Sequence, residues 1–243
     1  MLFKQERRDI LIRFFRSGVP LFLASFTPSG WAFSKRNKDK QGVAMRLPEP
    51  NIKGTLAVEQ AISQRRTIRA FIPEPLGLNL LSQLLWAMHG VTDKGGLKRA
   101  APSAGALYPM DVYVVAGKGS VARIDAGVYH YEPGGHRLSL VASGDLREVL
   151  AKASLSQMWM ARAPANMVIT AEYERATVKY RKRGFRYAMI EAGHIGQNLF
   201  LQAEALGLKA GIVGAFHDKD IIRVLKLPSS HEPLLIMPVG YQV

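Results

Sequence analysis

The sequence predicts an α+β domain with a mainly antiparallel central sheet flanked by helices. Three observations carry this expectation. Helical periodicity concentrates towards the two ends of the regular part of the chain. Strand patterns and a hairpin lie between them. Strict βαβ alternation is missing, which argues against a doubly wound parallel sheet.

The first 34 residues read apart from the rest. Arg7 and Arg8 precede the apolar Ile10 and Leu11, an uncharged, moderately apolar stretch runs from Ser17 to Trp31, and Gly30 and Ala32 supply small residues at its end. This is the three-part layout of an export signal, and the paired arginines resemble the twin-arginine type. Arg13, Arg16 and Pro28 interrupt the apolar part, so an amphipathic helix on the domain or on a membrane is the alternative. A used signal would make the protein periplasmic or otherwise extracytoplasmic, and an unused one cytoplasmic. Residues 35–54 are charged, contain proline and lack periodicity, so they read as a linker. The folded domain is expected over residues 55–243.

Within that domain, Leu56, Ala57, Val58, Ala61 and Ile62 suit one face of a short helix ending near Arg65. Leu81, Leu84, Leu85 and Met88 predict a helix over residues 78–88, stopped by Gly90. Asp111 to Val115 reads as a strand. Residues 127–131 and 137–141 flank Glu132-Pro133-Gly134-Gly135-His136, a hairpin turn. Ser143 and Gly144 open a helix through Leu150, and residues 166–173 form another strand. The longest helix is expected over residues 187–206, with Ile190, Ala192, Ile195, Leu199 and Ala203 on a wide apolar face and Gly207 at its C′ position. A strand over 210–213 and a helix over 218–225 follow. The continuous apolar run 234–239 predicts an inner strand.

Composition narrows the chemistry. The 243 residues are 48% apolar and 21% charged, which is globular. No run of eighteen uncharged apolar residues is present, so no ordinary spanning helix is expected. The chain has no cysteine, which removes disulfides, thiolate nucleophiles and zinc-thiolate sites. Six scattered histidines show no paired ligand spacing, so no metal site is expected. The charge of +14 suits a solvated surface, or a partner that is a phosphorylated cofactor, a lipid headgroup or a nucleic acid. Dinucleotide, Walker and GxSxG signatures are absent.

Five segments could carry chemistry. Arg65-Arg66-Thr67-Ile68-Arg69 places three guanidiniums and a hydroxyl within five residues, the donors that phosphate oxygens need, or else a solvated basic helix end. Pro102-Ser103-Ala104-Gly105-Ala106-Leu107-Tyr108-Pro109 bounds small residues with prolines, so backbone can approach a flat ligand; an ordinary loop reads the same way. Gly193 and Gly196 lie inside the longest helix at roughly 1 kcal/mol each relative to alanine, so a helix or a ligand approaches there; His194 and Gln197 share a face. Val213 and Gly214 close a strand and can turn backbone groups to a ligand. Lys179 and Tyr180 are a general acid/base pair, or a surface lysine beside a packed tyrosine.

In their order along the chain these motifs resemble the nitroreductase family, from about Thr55 to Tyr241. Arg183-Gly184-Phe185-Arg186-Tyr187, Glu191-Ala192-Gly193-His194, Gln197-Asn198-Leu199 and Val239-Gly240-Tyr241 complete the set. The Leu107-Tyr108-Pro109 ending and the Lys179-Tyr180 pair are similar to the SagB-type branch, which includes thiazoline and oxazoline oxidases. The resemblance implies a homodimer that binds FMN at its subunit interface. It assigns Arg65, Arg66, Thr67 and Arg69 to the phosphate and ribityl chain. It assigns Pro102, Ser103, Ala104 and Gly105 to one border of the isoalloxazine, and Val213 and Gly214 to its other face. Lys179 and Tyr180 become the proton-handling pair. The implied activity is hydride transfer between flavin N5 and a small substrate. An azoline oxidase acting on a modified peptide, or a flavin-binding protein without turnover, are the alternatives. Neither a nucleic-acid partner nor stable membrane insertion after export is expected. One departure stands out: the chain closes on Gln242-Val243, where family members commonly carry a basic residue that reaches the phosphate.

Overall fold

The computed structural model describes residues 44–243. The export signal expected over 1–34, and the linker as far as residue 43, lie outside the described residues.

Seven strands form one antiparallel sheet among the described residues. They are β1 (Met45–Arg46), β2 (Met110–Ala116), β3 (Gly127–Glu132), β4 (Arg137–Ser143), β5 (Ala165–Ala171), β6 (Lys209–Ala210) and β7 (Glu232–Gly240). Their order is β1-β4-β3-β2-β5-β7-β6. Six α-helices accompany them among the described residues: α1 (Val58–Gln64), α2 (Leu78–His89), α3 (Arg147–Ala153), α4 (Glu174–Tyr180), α5 (Arg183–Ala205) and α6 (Asp218–Leu225). The α+β architecture is therefore the one expected.

The sheet separates two cores. Side chains alternate across a strand, so Val112 and Val114 of β2 join the first core while Tyr113 and Val115 join the second. The first core is closed by Leu84 and Met88 of α2 and by Ile195 and Leu199 of α5. The second is closed by Leu150 of α3 and by Ile221 and Leu225 of α6. Strands β2 and β5 are buried at every position, the polar Asp111, Asn166 and Thr170 included.

The longest helix begins at Arg183, four residues before the expected start, and ends where expected, with Gly207 at φ +70°. Its two glycines have different causes. A Cβ at Gly196 would lie 3.2 Å from Met237 Sδ, so this glycine lets α5 close on β7. A Cβ at Gly193 would meet nothing within 4 Å.

Several expectations need correction. Helix α4 was not expected at all. Ser143 ends β4 and does not open a helix; α3 starts at Arg147. The strand expected over 210–213 is the two-residue β6 followed by an isolated bridge from Val213 to Ile236. The short helix α1 buries only Ala61, leaving Val58 and Ile62 each 56% exposed. Residues 44–54 of the expected linker are fixed to the domain. Met45 and Arg46 pair with β4, and Leu47 is buried. The backbone N–H of Asn51 donates to Gln83 Oε1 at 2.7 Å, while Gln83 Nε2 returns a bond to Asn51 O at 3.0 Å.

Candidate active site

The loop from Pro102 to Pro109 is shaped by its small residues. Gly105, Ala106 and Tyr108 adopt positive φ of 63°, 53° and 48°. The Tyr108 N–H donates to Ser103 Oγ at 2.9 Å, which ties the loop across its own turn. Helix α4 brings its last two residues against this loop. A Cβ at Gly105 would lie 2.7 Å from Tyr180 Oη and 3.1 Å from Lys179 Nζ. Glycine suits position 105 by its backbone angle, and its missing side chain leaves room for the tips of the pair beside it. Lys179 Nζ lies 5.4 Å from the Tyr180 ring centroid, and Tyr187 meets the same ring edge-on at 5.0 Å. Lys179 is exposed and Tyr180 half-buried.

Beneath the loop lies a cavity of about 240 Å³, lined by Pro102, Ser103, Ala104, Tyr187, Ile190, Glu191 and His194. Glu191 was not singled out as a site residue from the sequence. It is 2% exposed, and no side chain among the described residues gives its carboxylate a hydrogen bond of full geometry, the nearby Ser103 included. Burial pushes its pKa up to about 7, against the opposing pull of Ser103 and of the Arg99 cation. Arg99 sits 4.2 Å over the Tyr108 ring and contacts His89. Burial, and then Arg99, lower His89 to about 3, so its ring is neutral. Asn198 Nδ2 anchors this side of the site by donating to Ala87 O at 3.0 Å and Ala100 O at 3.3 Å.

The arginine turn stands elsewhere. It runs beside β6, with the Ile68 N–H donating to Ala210 O at 2.9 Å. Arg65 packs over the Phe200 ring, 5.1 Å from the centroid. Arg66 Nη1 donates to Ser63 O and Arg65 O, and none of Arg65, Arg66 and Arg69 forms an ion pair among the described residues. Val213 is buried in the second core, while Gly214 is exposed with open space around it. Nine residues separate Glu191 from Phe200, about 14 Å of helix rise and half a turn of rotation. The structure therefore brings Lys179 and Tyr180 to Pro102–Gly105, but sets the arginine turn on the opposite side of α5. The chain end follows the turn: the Ile72 N–H donates to Tyr241 O at 3.1 Å, and Gln242 bridges Phe71.

Two other features are outside this set. A hollow of about 600 Å³ lies between residues 49–58 and the second half of α5, lined by Ile52, Leu56, Val58, Leu201 and Leu206 among others. At the end of β2, Asp111, Glu172 and His231 present ligand-type atoms within 4.8 Å of one another. Arg175 already occupies this cluster, 2.8 Å from Asp111 Oδ2 and in contact with Glu172. Burial works against the Asp111 charge, yet the His130 hydrogen bond and Arg175 hold the carboxyl well below the usual range. The cluster is an internal ion-pair network whose cation is a guanidinium.

Residues 62–241 match the model of the nitroreductase family, and the chain belongs to that family of oxidoreductases. A protein of Methanocaldococcus jannaschii named as a nitroreductase is 41% identical over 202 residues, 83% of this chain and 99% of that protein. The microcin B17-processing protein McbC of Escherichia coli is 30% identical over 169 residues, 68% of this chain, and the match spans 62% of McbC. That similarity supports the SagB-type branch. A structure from Ralstonia eutropha named as a nitroreductase superposes with a TM-score of 0.71 at 28% identity, covering 82% of this chain and 90% of that one.

Proposed function

We propose that this chain is an FMN-dependent oxidoreductase that moves hydride between flavin N5 and a small substrate. The observation that carries the reading is the meeting of Lys179 and Tyr180 with the small-residue loop at Gly105. Three further features fit the cofactor. Three guanidiniums without carboxylate partners suit a phosphate. Open space at Gly214 and Gly193 admits a flat ring or a second chain near backbone. Ser103 offers a hydroxyl at the cavity wall.

FMN, when bound, supplies the hydride acceptor or donor. The chain supplies the rest. Arg65, Arg66, Thr67 and Arg69 would hold the phosphate and ribityl chain. Pro102, Ser103, Ala104 and Gly105 would border the ring, with Val213 and Gly214 on its other face. Tyr180, with Lys179 beside its ring, would hold and release the accompanying proton at its hydroxyl oxygen. Since the arginine turn and the loop lie on opposite sides of α5, one copy's turn would complete the site with a second copy's loop. The functional unit on this reading is a homodimer. Exposed Met189 and Ile190 on α5, at 56% and 50%, and Val58 and Ile62 on α1 are apolar surface that such pairing would cover.

A second reading is favoured by the similarity to McbC. Here the substrate would be a peptide and the reaction the two-electron oxidation of an azoline ring within it, with FMN, when bound, as the hydride acceptor and Lys179 and Tyr180 taking the proton.

The first reading is tested by purifying the chain from Ser34 onward, recording its visible spectrum and identifying the released chromophore. An oxidised-flavin spectrum with about one FMN per subunit is expected. A colourless protein that also fails to take up added FMN would sink it.

A further inference from the structure

The segment from Lys179 to Arg186 contains five cations and no acid: Lys179, Arg181, Lys182, Arg183 and Arg186. All five are exposed, and none forms an ion pair among the described residues. Three exposed cations elsewhere on the described surface do pair locally. Arg46 binds Glu49 at 2.6 Å, Lys152 binds Glu148 at 2.8 Å and Arg223 binds Asp220 at 2.7 Å.

The arrangement is unfavourable in the isolated chain. Arg183 and Lys182 stand at the positive end of the 23-residue helix α5, whose first turn has no acid. A cation there is disfavoured by the positive end of the helix dipole. Arg181 also takes φ +51° at the α4–α5 junction, outside the ordinary range for a non-glycine residue. These cations adjoin the Lys179–Tyr180 pair. The Tyr108 hydroxyl donates to the Leu97 carbonyl at 2.7 Å, which ties residues 93–98, with exposed Lys94 and Lys98 and the acid Asp93, to the end of the loop. Apolar groups are interleaved: Leu97 is 73% exposed, Val178 79% and Phe185 45%.

We propose that this basic rim docks a carboxylate-rich stretch of a peptide substrate beside Lys179 and Tyr180. The inference rests on the peptide reading above and adds the charge of the substrate. A small anion needs one or two guanidiniums. Here five cations and the exposed apolar side chains of Val178 and Phe185 share one stretch beside the loop, which suits an extended chain that is both acidic and apolar. The position next to the proton-handling pair makes the occupant a substrate.

The test uses the purified holoprotein and two labelled peptides, one alternating Glu with Leu and one alternating Gln with Leu, read by fluorescence anisotropy. The Glu peptide should bind at least roughly tenfold more tightly, and the preference should shrink between about 0.05 M and about 0.5 M salt. Lys182→Glu with Arg183→Glu should weaken it by roughly tenfold or more. Acids at these positions suit the helix end, so the fold is kept, and an unchanged flavin spectrum in the same sample confirms it. Arg186→Gln, outside that first turn, should weaken binding in the same direction. Equal binding of the two peptides, binding of neither, or indifference to the variants would overturn the proposal. So would tighter binding to a single-stranded oligonucleotide or to phosphatidylglycerol vesicles, which would assign the rim to another partner. Equal binding of the two peptides would remove the charge preference alone, whereas binding of neither would remove the peptide reading itself, so the two fail distinguishably.

Discussion

Glu191 shows how a single residue escapes a sequence reading. A carboxylate on a helix is ordinarily solvated. Its spacing carried a signal nonetheless: it is one residue before Ala192 and four before Ile195, both buried on the sheet side of α5. The native carboxyl keeps its proton up to about pH 7, whereas the reference value is 4.5. Between those values the folded state binds more protons than the unfolded one, so stability falls as pH rises through that window. Glu191→Gln, which is neutral throughout, should match the wild type near about pH 4 and exceed it by on the order of 1–3 kcal/mol near about pH 8. Denaturation at the two pH values checks this; an equal difference at both would show that the carboxyl does not titrate in the window. At the proposed proton-handling pair, Tyr180→Phe should lower turnover by roughly 10²-fold or more while the flavin spectrum stays unchanged. A variant that turns over at the wild-type rate would remove Tyr180 from the proton path.

Helices α2, α5 and α6 were legible because each puts a repeated apolar stripe on a core. Helix α4 was not, because Ala176 is its only buried residue and no stripe exists to read. The first turn of α5 escaped for the same reason, since Arg183 and Arg186 are exposed there. Strand β1 is two residues long and is defined by pairing with β4, which no local pattern encodes. The candidate site divides in the same way. Its loop, its arginine turn and its Lys-Tyr pair were legible as motifs. Their distribution over two sides of one helix was not, because it is a property of packing. The α4–α5 turn depends on Gly184, where a Cβ would lie 2.8 Å from Thr177 N and 2.9 Å from the Ala176 carbonyl carbon. Gly184→Ala presses on backbone, which cannot move aside as a side-chain tip can. A loss of roughly 1–3 kcal/mol is expected, with Lys179 and Tyr180 displaced from the loop. Thermal denaturation and turnover should fall together; a fully active variant of wild-type stability would show that the two helices are loosely packed.

For the molecule as a whole, the two buried cores make a rigid frame, and the described surface is left with apolar residues on α1 and α5 and a basic rim near the loop. If the active unit is a pair of chains, activity per subunit should fall on dilution below the dimer dissociation constant, and bound flavin should be released in parallel. Sedimentation over a concentration series, with absorbance read at the flavin band, follows both at once. Retention of flavin by a monomer would place the whole cofactor site on one chain.

Gly193 makes that pairing open to a chemical answer. It is exposed in the middle of α5, and a side chain placed there meets no neighbour within 4 Å. The chain contains no cysteine, so Gly193→Cys creates one thiol at one known point. Should two α5 helices cross near this glycine, the two sulfurs come within reach of each other, and mild oxidation will weld the subunits into a species of doubled mass on a non-reducing gel. Should the helices pair elsewhere, the thiol stays free and alkylates. A bare stretch of helix thereby doubles as a ruler for the distance between two copies.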